Sequence, residues 1–246
     1  MKHEPMEEEH KIQQGIEHFP AGEELEITRV EQGKRGMRGR YIIHFGPYSL
    51  SVLEDVMIKY RMTKGSFFNK SELSDIVMAD ERQQAYVMSL QYLARKPRTR
   101  QELSRRLLER ELEPAVVHET LLRLEKEKLV NDELYARQWA QQRISGQKKG
   151  KLWIKQELQQ KGVDRSIIAE ALGDISEAEE WESALLAGQK KWNQTRGEVS
   201  EKKRKTYSFL MRRGYSGGIT RRVLQSLLRS DQAGLEAEEH DELLWD

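Results

Sequence analysis

A period of 51–52 residues constrains this chain more than any other feature of it. The segments LSRRLLERELEPAVVHETLLRL (103–124), IKQELQQKGVDRSIIAEAL (154–172) and YSFLMRRGYSGGITRRVLQSL (207–227) align without gaps over their centres. Leu107, Leu158 and Leu210 coincide, at spacings of 51 and 52 residues. Glu111, Gly162 and Gly214 coincide as well, followed by Val116, Ile167 and Ile219, and then by Leu121, Leu172 and Leu224. Self-similarity at a fixed period of this size marks tandem supersecondary units, each of which buries its apolar face against its neighbours.

The punctuation parses each unit into helices. Thr99 with Glu102 three residues on forms a capping box, so KPRTRQELSRRL (96–107) opens a helix directly after a proline-containing turn. Gly162 and Gly214 supply the left-handed residue that ends the equivalent helices. Asp164 and Ser216 suit the caps of the helices that follow, and Pro114 suits a first helical turn. Each unit also has an upstream helix: RQQAYVMSLQYLAR (82–95), NDELYARQWAQQRIS (131–145) and EAEEWESALLAGQKKW (177–192). Tyr86, Leu90, Leu93, Tyr135, Trp139, Trp181 and Leu185 fall at helical core spacing and read as packing in preference to base stacking.

Ahead of the repeats the period changes. LEITRV (25–30) alternates apolar and polar residues, while RYIIHF (40–45) and YSLSV (48–52) are rich in β-branched and aromatic residues around a Gly46-Pro47 turn. The loop EQGKRGMRGR (31–40) carries glycines and basic residues but no phosphate-loop pattern; it reads as a hairpin tip, with a phosphate-backbone contact as the other reading. A helical pattern runs from Val52 to about Arg61, and nearly everything from Leu73 onward is helical. The expected fold is mainly α: three tandem three-helix, helix-turn-helix-like repeats in an elongated curved array, preceded by a small antiparallel β-sheet. The expected segments are an acidic disordered leader (1–23), a β-hairpin and helix region (24–80), repeats at 81–130, 131–175 and 176–230, and an acidic tail (231–246).

Charge is segregated along the 246 residues. Residues 1–24 carry a net −5, residues 25–80 a net +2, residues 81–230 a net +11 and residues 231–246 a net −7. A basic middle between acidic ends points to an anionic partner. The tail reads as a disordered solubilising segment, or as one that folds back on the basic repeats. With no cysteine, thiolate metal sites, disulfides and thiol nucleophiles are excluded and a reducing compartment fits. No run approaches a membrane span, so a cytoplasmic protein is expected. The six histidines, at 3, 10, 18, 44, 118 and 240, are scattered, and no HExxH or Gly-x-Ser-x-Gly pattern occurs. No catalysis, cofactor or metal is expected.

YLARKPRTRQELSRRL, NDELYARQWAQQRI with KGKLWIKQELQQKGV, and FLMRRGYSGGITRRVL, in that order and at that period, resemble the RecX family of regulatory proteins. The resemblance covers about residues 24–229. It implies a non-enzymatic modulator of the RecA recombinase that lies in the helical groove of RecA filaments on single-stranded DNA, inhibiting ATP hydrolysis and strand exchange. Glu111 stands where the family commonly has a glycine, and Trp153 where a smaller residue is expected.

The basic side chains supply candidate contacts for such a filament: Arg98, Arg100, Arg105, Arg106 and Arg110 in the first repeat; Lys148, Lys149, Lys151, Lys155 and Lys161 in the second; Lys202, Lys203, Arg204, Arg212, Arg213, Arg221 and Arg222 in the third. Guanidinium pairs suit bidentate phosphate or carboxylate contacts best. The expected partners are a RecA filament, single-stranded DNA and double-stranded DNA, met by a monomer. A sequence-independent DNA-binding protein of helix-turn-helix type is the alternative, and a scaffold for acidic proteins a third reading.

Overall fold

The structure, a computed structural model, describes residues 13–33 and 39–242, with side chains described to residue 232. Two units emerge: residues up to Lys96 with Ser104–Glu127, and Pro97–Leu103 with the chain from Lys128 onward.

The first unit holds the sheet. Strands β3 (Arg29–Gln32), β4 (Arg40–Phe45) and β5 (Tyr48–Leu53) form an antiparallel meander, and β1 (Gln13–Gln14) adds to β5 in parallel. Phe45 pairs with Tyr48 across a two-residue turn in which Gly46 has φ 60°, a conformation glycine adopts without Cβ strain. The β2 strand (Glu24–Glu26) pairs instead with β6 (Phe67–Asn69) in a separate ribbon. LEITRV, expected as one strand, is therefore shared between two sheets. The chain crosses at Ile27, whose side chain is fully buried and whose N–H donates to the Ser66 carbonyl.

The expectation of a disordered leader over 1–23 is corrected for residues 13–23. Phe19 is buried edge-on to Phe45 at 5.3 Å, and burying an aromatic ring repays the ordering of a short segment. Residues 1–12 and the loop tip at 34–38 lie outside the described residues.

Helix α1 (Glu54–Lys59) is followed by α2 (Lys70–Leu93), which Asn69 and Glu72 open with a full capping box. The α2 helix runs unbroken through residue 80, so the boundary expected there falls inside a helix. Its first half carries Leu73 and Ile76 into the core with Ile43, Leu50, Val52 and Val56. Its second half packs against α4 (Pro114–Lys126): the Arg123 guanidinium lies 3.6 Å from the Tyr86 ring centre, and the Tyr86 hydroxyl donates to Glu127 at 2.6 Å.

The second unit is helical. It contains α5 (Asp132–Gln141), a π turn at Gln142–Gly146, α6 (Lys151–Gln160), α7 (Arg165–Gly173), α8 (Glu177–Gln194), α9 (Val199–Arg212) and α10 (Gly217–Glu242). The start of α3 (Arg100–Leu108) also belongs to it. One core joins Tyr135, Ile144, Ile154, Leu158, Ile168, Ala184, Trp192, Leu210, Tyr215 and Val223. The α10 backbone continues past residue 230, where a disordered acidic tail was expected; Leu243–Asp246 lie outside the described residues. No helix among the described residues is long and apolar enough to cross a membrane.

Candidate partner-binding surface

The second helices of the three repeats end alike. Glu111, Gly162 and Gly214 all adopt left-handed backbone, at φ 61°, 75° and 82°. The residue before each is a cation: Arg110, Lys161 or Arg213. In the second and third repeats this cation turns inward to hold the repeat before it.

At the first such joint the Thr99 hydroxyl donates to the Lys161 carbonyl at 2.7 Å, and the Arg100 N–H donates to Asp132 at 2.9 Å. The Lys161 ammonium meets Glu102 at 2.8 Å and lies 4.5 Å from the Trp139 ring centre. Burial alone would push the Glu102 carboxyl up. The hydrogen bond from Lys161, that from the Thr99 N–H, and the charges of Lys161 and Arg98 outweigh it and hold the carboxyl below its ordinary value. Burial likewise pulls the Lys161 ammonium down, and its bonds to Glu102 and Tyr135 leave it raised overall.

The second joint repeats the plan. Gly150 N–H donates to the Arg213 carbonyl at 2.9 Å and Leu152 N–H to the Gly214 carbonyl at 3.1 Å. Lys151 N–H donates to Glu180 at 3.2 Å, and burial raises that carboxyl above its ordinary value. The Arg213 guanidinium caps the carbonyls of Gln147 and Lys148, at 2.6 and 2.9 Å. Ser183, buried, donates to the Ile144 carbonyl of the π turn and meets the Tyr215 hydroxyl at 3.0 Å. At both joints a Cβ on the glycine would collide with the preceding repeat: on Gly162 with the Gln101 side chain, on Gly214 with the Trp153 backbone.

Several candidate contact residues therefore have internal partners. Besides Lys161 and Arg213, Lys151 donates to the Ile175 carbonyl and Lys148 to the Ser145 carbonyl, each at 2.6 Å. Lys149 stands 3.5 Å over the Trp153 ring, where burial lowers its pKa. Lys202 lies 3.6 Å from Asp231, Arg106 pairs with Glu109, and Arg222 pairs with Glu177. Arg98 and Arg100 are half-buried at the start of α3.

The remaining candidates face solvent. Arg105 on α3, Arg110 in the turn after it, Lys155 on α6, Lys203, Arg204 and Arg212 on α9, and Arg221 on α10 are exposed and form no ion pair among the described residues. Every repeat thus presents at least one uncommitted cation on its second helix. Beside Lys155, a groove of about 230 Å³ between α6 and α7 has Arg165 at its rim and Ile168 and Leu172 on its floor. Arg143 escaped the sequence reading. It bonds Glu157 at 2.7 Å over the Trp139 ring, and its only sequence trace is its place one turn beyond Trp139.

Comparison with known proteins gives a consistent result. Family models described as the first, second and third three-helix domains of RecX match residues 85–124, 131–172 and 177–224. "Regulatory protein RecX" of Bacillus cereus (strain B4264) is 30% identical over 207 residues, covering 82% of this chain and 76% of that protein. The RecX of Limosilactobacillus reuteri (strain DSM 20016) is 29% identical over 195 residues, covering 78% and 73%. A crystal structure of regulatory protein RecX superposes with a TM-score of 0.64 at 27% identity, over 81% of this chain and 98% of that one. The crystal structure of RecX from Lactobacillus salivarius superposes at 0.58 and 27% identity, over 61% and 97%.

Proposed function

Because the chain belongs to the RecX family of regulatory proteins, we propose that it acts in the cytoplasm as a non-enzymatic regulator that binds RecA filaments in their helical groove and inhibits their ATP hydrolysis and strand exchange. The observation that carries this reading is the exposed cation without an ion pair, among the described residues, on each successive second helix: Arg105, then Lys155, then Arg212. Exposed cations that recur in the sequence from one repeat to the next suit an anionic partner, of phosphate or carboxylate. Lys161 and Arg213, which have internal partners within the second unit, are the weaker candidates for contact. A sequence-independent DNA-binding protein would share the surface charge, so the test must separate the two.

Single-strand-dependent ATP hydrolysis by the cognate RecA, titrated with this protein at two salt concentrations, does so. Inhibition well below one protein per recombinase subunit is the expected result, since sequestering the DNA would need far more protein. Inhibition that disappears when excess single strand is supplied would move the function to plain DNA binding.

A further inference from the structure

The third repeat has an exposed face on α9 whose chemistry is mixed. Val199, Lys203, Tyr207 and Met211 follow one another four residues apart and all are exposed, so they form one ridge along the helix. The three apolar members leave 43%, 39% and 38% of their surface to solvent, and Arg204 flanks them. Neither Lys203 nor Arg204 has an ion pair among the described residues. Cations alone are content in water. Large apolar side chains set between them suit an acidic segment that carries apolar residues of its own.

The sequence holds such a segment, and it leaves the fold beside this ridge. The core takes its last described side chains from α10 at Leu227 and Leu228, and Asp231 then meets Lys202 of α9 at 3.6 Å. Beyond Gly234, residues 235–246 hold six carboxylates, no lysine or arginine, and the apolar run Leu243-Leu244-Trp245. The α10 helix runs to Glu242, which sets five of those carboxylates at the negative end of its dipole, behind an interior glycine. A short helical end of that sequence is marginal by itself, so unwinding it costs little. Reach is ample: the ridge is roughly 18 Å long from Val199 to Met211, whereas twelve extended residues span up to about 40 Å.

We propose a second state of the chain, in which α10 ends at Gly234 and residues 235–246 lie along the α9 ridge. Their carboxylates meet Lys203 and Arg204, and residues 243–245 cover Tyr207 and Met211. A polyanion that takes those two cations must first displace the segment, so the acidic end competes with any anionic partner of the third repeat. The docking itself does not depend on which partner that is.

The chain has no cysteine, so a disulfide introduced by Tyr207→Cys with Leu244→Cys reports the contact in the full protein. The comparison pair is Leu134→Cys with Leu244→Cys, since Leu134 is also exposed but lies on α5 beside Asp132 and Glu133. Under mild oxidation at about 50 mM salt, where charges are weakly screened, the first pair is expected to close within single chains at least ~10-fold faster than the second. Lys203→Gln with Arg204→Gln should slow that closure at least about three-fold, and so should heparin, a polyanion probe for the same cations. These positions on α9 and α5 are exposed, so the variants keep the fold. Equal closure of the two pairs overturns the proposal. So does a bond that joins two chains, or a rate indifferent to heparin or to the loss of Lys203 and Arg204.

Discussion

Lys161 and Glu102, 59 residues apart in sequence, meet at 2.8 Å with about a fifth of each side chain exposed. The pair ties the start of α3 to the end of α6. Removing the ammonium leaves a half-buried carboxylate, so Lys161→Met should cost roughly 2–3 kcal/mol in urea unfolding, while Glu102→Gln costs about 1–2 kcal/mol. The sign with pH follows from the two shifts. The Glu102 contribution is present above its free value of 4.5 and is lost as pH falls through its lowered folded pKa. The Lys161 contribution is present below 10.5 and is lost as pH rises through its raised folded pKa. The gap between wild type and Glu102→Gln should therefore be full at pH 7 and shrink on acidification; a gap constant down to pH 3 would remove the ion pair as its cause.

Two glycines separate backbone strain from packing. Gly65 has φ 88° with open space around it, so Gly65→Ala should cost only the left-handed penalty of about 1–2 kcal/mol. Gly214→Ala adds a collision with the Trp153 backbone and should cost about 1–3 kcal/mol more. Equal losses in thermal unfolding would mean that the joint yields freely.

Glu111→Gly should gain roughly 0.5–1 kcal/mol, because glycine removes the strain at φ 61° and gives back part of the gain in unfolded-chain entropy. Chemical denaturation measures it.

The exposed and the inward cations should respond oppositely. Arg105→Glu with Arg110→Glu, or Lys155→Glu with Arg212→Glu, should weaken filament binding and flatten its salt dependence. Helix content by circular dichroism should not change, and stability should stay within about 0.5 kcal/mol. Arg213→Ala should instead lower stability by about 1–3 kcal/mol, since it uncaps the carbonyls of Gln147 and Lys148.

Tyr215 supplies an alkaline probe. Burial pushes its hydroxyl up to about 12, with the bond to Ser183 opposing. The contribution is complete below its free value of 10.0 and is lost as pH rises toward the folded value, roughly 2–3 kcal/mol across that window. Tyr215→Phe should lack this alkaline loss in a comparison of melting temperatures.

What was legible in the sequence was the chemistry settled by near neighbours. The Thr99–Glu102 box, Pro114 at the start of α4, and the caps from Asp164 and Ser216 stand as expected, because each is decided within four residues. The period also aligned Glu111 with two glycines, which makes its left-handed backbone readable. Long-range pairings were not legible. Nothing near Lys161 announces Glu102, and nothing near Arg213 announces the carbonyls of Gln147 and Lys148, 66 and 65 residues upstream. Strands of two or three residues, β1, β2 and β6, are too short to show a period of two. The internal partners of the basic side chains were hidden for the same reason: charge is visible in a sequence, but the group that meets it is not.

The α2 helix serves two masters. One rod of 24 residues is floor to the sheet through Leu73 and Ile76, and pillar to the first repeat through Tyr86. A rod cannot fray at its middle without releasing both ends. The β region and the first helical module should therefore open as a single foldon in hydrogen exchange, and a fragment cut between them would begin with half a helix whose own cap, Asn69, had been left behind.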